Sequence, residues 1–106
     1  MTFDNETIER VWRSGRAIAE RHAGRWRKDQ CGAWICREHY GNRHSEFGWK
    51  ILRIAAPVDD ADDELRPFNV RNDFDVGAEE PHCRVTSDRN GFAPEQQVLD
   101  PRNKSA

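Results

Sequence analysis

The chain has 106 residues, room for one small domain and not for two. Its 17 Lys and Arg against 19 Asp and Glu give a formal net charge of −2, and 36% hydrophobic with 34% charged residues leaves only a small core. No apolar run approaches the roughly 18 residues of a bilayer span, the N-terminus lacks the apolar stretch of a signal peptide, and three cysteines are an odd number for a disulfide framework. The expected setting is therefore a reducing cytoplasm, with no membrane partner and no cofactor.

Charge is divided unevenly along the chain. Met1 to Arg53 carries 11 basic and 7 acidic residues, whereas Ile54 to Ala106 carries 6 basic and 12 acidic. A protein that coats DNA with its whole surface is basic throughout, so any basic binding surface belongs to the N-terminal half.

The spacing of Ile8, Val11, Trp12, Ile18, Ala19 and His22 predicts a helix over 4–23, capped by Asp4 or Asn5 and stopped by Gly24. Its other face carries Arg10, Arg13 and Arg16, which read either as a solvated face or as a binding stripe. A basic turn follows, then strands near 33–36 and 49–54, joined by a polar connection that begins at Tyr40-Gly41-Asn42-Arg43. The acidic run Asp59-Asp60-Ala61-Asp62-Asp63-Glu64 precedes a second predicted helix near 65–73, where Leu65, Phe68 and Asn72 share a face and Pro67 sits in the first turn. Acidic residues favour a helix start, and a metal site or a nucleic-acid mimic is the alternative reading of the run. A short strand is expected within 82–87. The domain thus spans 1–93, and the polar, proline-interrupted 94–106 reads as a disordered tail.

Asp29-Gln30-Cys31-Gly32-Ala33-Trp34-Ile35, followed by Tyr40-Gly41-Asn42-Arg43-His44-Ser45-Glu46-Phe47-Gly48-Trp49, resembles a branch of the HNH endonuclease family. Members of that branch read D-x-C-G-A-x-I, then Y-G-N-R-x-S-x-(Y or F)-G-W-E-I-D-H-I-x-P-V, then an acidic or glycine-rich loop and N-L-Q-P-L-H-W-x-N-N. The similarity runs from about residue 8 to about residue 90. It implies an α+β fold of the small ββα-metal type, in which a cation sits between a β-hairpin and a following helix. It also implies a histidine general base on the second strand, with the metal stabilising charge on the scissile phosphate.

The residues that perform this chemistry in the family are replaced. Its Asp-His pair falls on Leu52 and Arg53, its loop asparagine on Glu64 and its later histidine on Asn69. Leucine ligates no cation, and arginine accepts no proton near neutral pH. The resemblance therefore implies a catalytically inactive, HNH-like binding protein. One version contacts DNA or RNA through Arg10, Arg13, Arg16, Arg25, Arg27, Lys28 and Arg53. Another is a protein-interaction module, an inhibitor or regulator, that presents Asp59, Asp60, Asp62, Asp63 and Glu64 to a protein partner. A metal-dependent nuclease with a site relocated to these carboxylates and Asp73 is the weaker alternative.

Other constellations read as structural. Cys31, Cys36, His82 and Cys83 have zinc-ligand chemistry but lie on distant segments, so buried free thiols are expected. His39 and His44 read as solvated loop residues. Trp34 and Trp49 read as core and Trp26 as the exposed tryptophan, and Arg53 is expected to pair with Glu64 or Asp73 or to meet a phosphate.

Overall fold

The computed structural model describes residues 3–18, 22–54, 64–87 and 103–105. Among these, one α-helix and nine short strands make an α+β fold. No described helix is long and apolar enough to cross a membrane. The acidic residues Asp59, Asp60, Asp62 and Asp63 lie outside the described residues.

Helix α1 is Asn5–Arg13. The carboxylate of Asp4 caps it by accepting the Thr7 N–H at 2.8 Å, and hydrogen bonding from Thr7, first through its side chain and then through that N–H, holds the Asp4 pKa below its ordinary value. Ile8, Val11 and Trp12 form its buried face. The helix expected over 4–23 stops ten residues early. The N–H groups of Ser14 and Gly15 turn back onto Val11 and Trp12, and the Arg27 guanidinium donates to the carbonyls of Arg13 and Gly15 at 3.2 and 2.8 Å. Arginine thus satisfies acceptors at the helix end that a further helical turn would otherwise have used. The next residues form β1 (Arg16–Ala17), which pairs with β2 (Trp26–Lys28) and through it with β3 (Trp34–Cys36), all antiparallel.

A single 3-10 turn, Arg37–His39, leads into the connection 40–48. Gly48 closes it: a Cβ there would lie 1.9 Å from the Asn42 carbonyl oxygen, so any side chain forces the turn open. Strand β4 (Trp49–Arg53) then pairs with β5 (Leu65–Asn69) in a register that sets Trp49 against Asn69 and Arg53 against Leu65.

Strand β5 overturns the helix expected near 65–73. Backbone bonds from Val70 to Gly48 and from Ile54 to Glu64 identify the hydrogen-bonded pairs, and Pro67, opposite Ile51, falls between them. Its missing N–H therefore costs the ladder nothing. Strands β6 (Asp73–Asp75) and β7 (Glu80–His82) form a second hairpin. The strand expected within 82–87 is divided between β7 and β8 (Val85–Thr86). Part of the expected disordered tail is also ordered: β9 (Lys104–Ser105) pairs with β8, and Asn103 accepts the Trp34 N–H at 2.7 Å.

Trp12, Ile8 and Val11 meet Ile35, Trp49 and Leu65 in the core, with Trp12 and Tyr40 both against the Trp49 ring at 5.1 and 4.8 Å. Trp26 is half-buried rather than exposed, packed edge-on to Trp34 and Phe47. The expectation of three free thiols is corrected as well: Cys31 and Cys83 form a disulfide, and Cys36 is the free, buried cysteine. One bridge plus one buried thiol accounts for the odd number, which removes the argument for a reducing compartment.

Candidate functional site

The turn between β2 and β3 is built around Asp29, only 2% exposed. One carboxylate oxygen accepts the N–H groups of Cys31 and Ala33, both at 2.9 Å. The other accepts the Asn69 N–H and the Asn72 side-chain amide, again at 2.9 Å. Burial raises the Asp29 pKa, and the donors from Asn72, Asn69, Ala33 and Cys31 pull it down without offsetting that rise. Asn72 extends the network, its carbonyl oxygen accepting the Arg84 and Val85 N–H groups. Three segments distant in sequence, 29–33, 69–72 and 84–85, are thereby joined through one carboxylate and one amide, and the Cys31–Cys83 bridge closes the same junction covalently.

Above this hub opens a cleft of about 290 Å³ lined by Ser14, Gly15, Arg16, Lys28, Asp29, Gln30, Arg66 and Pro67. Three different strands contribute its cations. Arg16 and Lys28 are cross-strand partners in β1 and β2. Lys28 is 3% exposed, its ammonium 4.9 Å from the centre of the Trp34 ring. Arg66 of β5 donates to its own Leu65 carbonyl at 2.7 Å.

The arginines expected to bind nucleic acid fall into two groups. Arg10, Arg13, Arg16 and Arg25 are exposed. Arg27 is a structural residue, spread over the Trp12 ring and bonded to the carbonyls of Arg13, Gly15 and Ala23; burial and then Arg13 push its pKa down. Arg53 is exposed on β4, opposite Leu65. Its expected partner Asp73 pairs instead with Lys50 at 2.9 Å.

The four positions where the family holds its catalytic groups do not gather. Leu52, Arg53 and Glu64 share one end of the β4–β5 hairpin, and one Glu64 oxygen is buried with no hydrogen-bond partner among the described residues. Asn69 stands five residues further along the strand, about 16 Å away. It is fully buried, bonded to the carbonyls of Trp34 and Glu46. The zinc candidates are also separate: Cys31 and Cys83 are bridged, Cys36 is buried elsewhere, and exposed His82 stands 3.9 Å from Asp75. Among the described residues no three His, Cys, Asp or Glu side chains cluster as metal ligands. His39 bonds to the Ser45 hydroxyl, and His44 is exposed.

Sequence reasoning missed Arg66 and the Asp29 hub. For Asp29 a signal was present, since Asp followed three residues later by Gly marks a turn held by its own side chain. Gly32 does adopt a φ of 80°. Arg66 carried none, because it entered the reading on a helix rather than on a strand that borders this cleft. No family model, curated protein or solved structure matches the chain.

Proposed function

We propose that this is a non-catalytic, HNH-like binding domain, a pseudo-nuclease of diverged ββα-metal type, which contacts DNA or RNA through the basic surface of its N-terminal half. The observation that carries the reading is the convergence of Arg16, Lys28 and Arg66 on one cleft beside the exposed Arg10 and Arg13 of α1. A basic concavity with low-dielectric walls concentrates positive potential, and phosphate is the anion that nucleic acids present. The absence of catalysis is inferred from chemistry. Arg53 stands where the family places its base, and no imidazole accompanies it on β4 or β5.

Such a ligand goes with the cytoplasm, where a disulfide is held reduced for much of the time, so binding must survive reduction. The test is titration of a labelled duplex and a labelled single strand, with and without reductant. At 50 mM salt the dissociation constant is expected in the ordinary non-specific range, tighter than about 100 μM. With about four phosphate contacts, affinity falls roughly a hundredfold between 50 and 200 mM salt. Arg13→Glu with Arg16→Glu should abolish it, and plasmid should stay intact with Mg²⁺ or Mn²⁺. No binding to either nucleic acid at 50 mM salt transfers the function to a protein partner; cleavage that co-purifies with the folded protein overturns the inactive reading.

A further inference from the structure

We infer that residues 103–105 form an exchangeable strand, and that the site they fill takes the same residues of a second copy of this chain. β3 is an edge strand of its sheet. Along its outer side the Cys36 N–H donates to the Phe47 carbonyl, and the Trp34 N–H donates to the Asn103 side chain at 2.7 Å. The Asn103 amide donates in turn to the carbonyls of Trp34 and Glu46 at 3.1 and 2.9 Å, where the Asn69 amide donates as well. One carboxamide therefore pairs with both backbone groups of Trp34, as an added strand would. The next two residues complete the contact as β9, with Lys104 facing Thr86 and Ser105 facing Val85. Trp34 is fully buried, so its N–H needs an acceptor, and some carboxamide must occupy the site.

The occupant is held by its tether more than by its contacts. Three residues with two strand pairs bind weakly on their own. Between Thr86 and its cross-strand partner Lys104 lie residues 87–103, seventeen in all, whereas hairpin loops span about two to five. Fully extended, such a connection reaches about 60 Å, against a radius of gyration of about 13 Å for a domain of this size. A tether of this length supplies its segment at an effective concentration in the millimolar range, and a second copy offers the same atoms. Reciprocal exchange bonds each Trp34 to the Asn103 of its neighbour and loses no contact, so crowding of copies is what favours it.

Three measurements on the full chain test this. In amide hydrogen exchange, Asn103→Ala should speed Trp34 about tenfold and leave Ile35, inside the β2–β3 ladder, unchanged. Sedimentation should show monomer at about 10 μM, and at about 2 mM a dimer fraction that Asn103→Ala removes. A synthetic peptide of residues 99–106 should give saturable shifts at Trp34, Val85 and Thr86 of the ¹⁵N-labelled Asn103→Ala chain, half-complete at about 100 μM. The parent, whose own segment competes, should need about tenfold more peptide, and a peptide carrying Asn103→Ala should give no shift on either chain. A Trp34 amide that exchanges alike in both chains, or peptide affinity equal for both, would overturn the exchangeable strand. Peptide binding with no dimer at about 2 mM would overturn the second copy as its occupant, and a dimer that Asn103→Ala retains would place self-association elsewhere on the molecule.

Discussion

Asp29 shows how one side chain can organise a domain with little apolar mass. A buried carboxylate is tolerated only when it is fully hydrogen-bonded, and here each oxygen has two N–H donors. Its folded pKa lies above the ordinary 3.8, principally through burial. A raised pKa means that the folded chain binds the proton more tightly than the unfolded one. The associated stability is fully present below 3.8 and is lost as pH rises through the folded value. Denaturant unfolding across the acid range should therefore show a falling component that Asp29→Asn abolishes. That variant should also lose about 2 kcal/mol at neutral pH, because an amide N–H₂ then faces the donors of Asn69 and Asn72. A variant as stable as the parent, with the same pH slope, would contradict this account.

At the scale of elements, the connection 40–48 and hairpin β4–β5 depend on one close approach. Gly48→Ala should cost about 3 kcal/mol or more, since its methyl group meets backbone rather than a yielding side chain. Thermal unfolding checks this, and an unchanged midpoint would show that the turn opens freely. The strand spanning 49–53 was legible from alternation, and β3 from its short apolar run between turn residues. The ends of α1 and the whole of β5 were not. Helix periodicity continues beyond Arg13 through Ile18, but what ends α1 is Arg27, fourteen residues away, and no local pattern records that contact. Leu65, Phe68 and Asn72 have helical spacing, yet the Asn69 N–H goes to Asp29, forty residues earlier. The candidate site was legible in the same measure. Arg10, Arg13, Arg16 and Arg25 emerged exposed, whereas Arg27 and Lys28 were absorbed into packing against Trp12 and Trp34. Tertiary contacts with tryptophan decided which cations stayed at the surface.

For the whole molecule, the Cys31–Cys83 bridge matters more than any single element. It spans 52 residues, and chain-entropy reasoning assigns a loop of that size about 4 kcal/mol of stabilisation. Cys83→Ser should lower the unfolding free energy by about that amount, and the parent in reductant should match it, whereas reductant should leave the variant unchanged. Equal stability of the oxidised and reduced parent would show that the hydrogen-bonded hub holds the junction alone. Charge also acts at this scale. The net value of −2 conceals the partition, and Arg66 from the acidic half completes a cleft otherwise made by the basic half.

The bridge turns the chain into a closed ring with two arms. The ring runs from Cys31 to Cys83 and contains β3 to β7; one arm carries α1, β1 and β2, and the other carries β8 and β9. Any peptide bond inside the ring can be cut without parting the molecule, because its two fragments remain linked through sulfur. A protease that nicks the acidic stretch between β4 and β5 would leave the apparent mass unchanged on a non-reducing gel and yield two bands only after reduction. The region with the densest negative charge is thus one that the protein can have severed without losing either half.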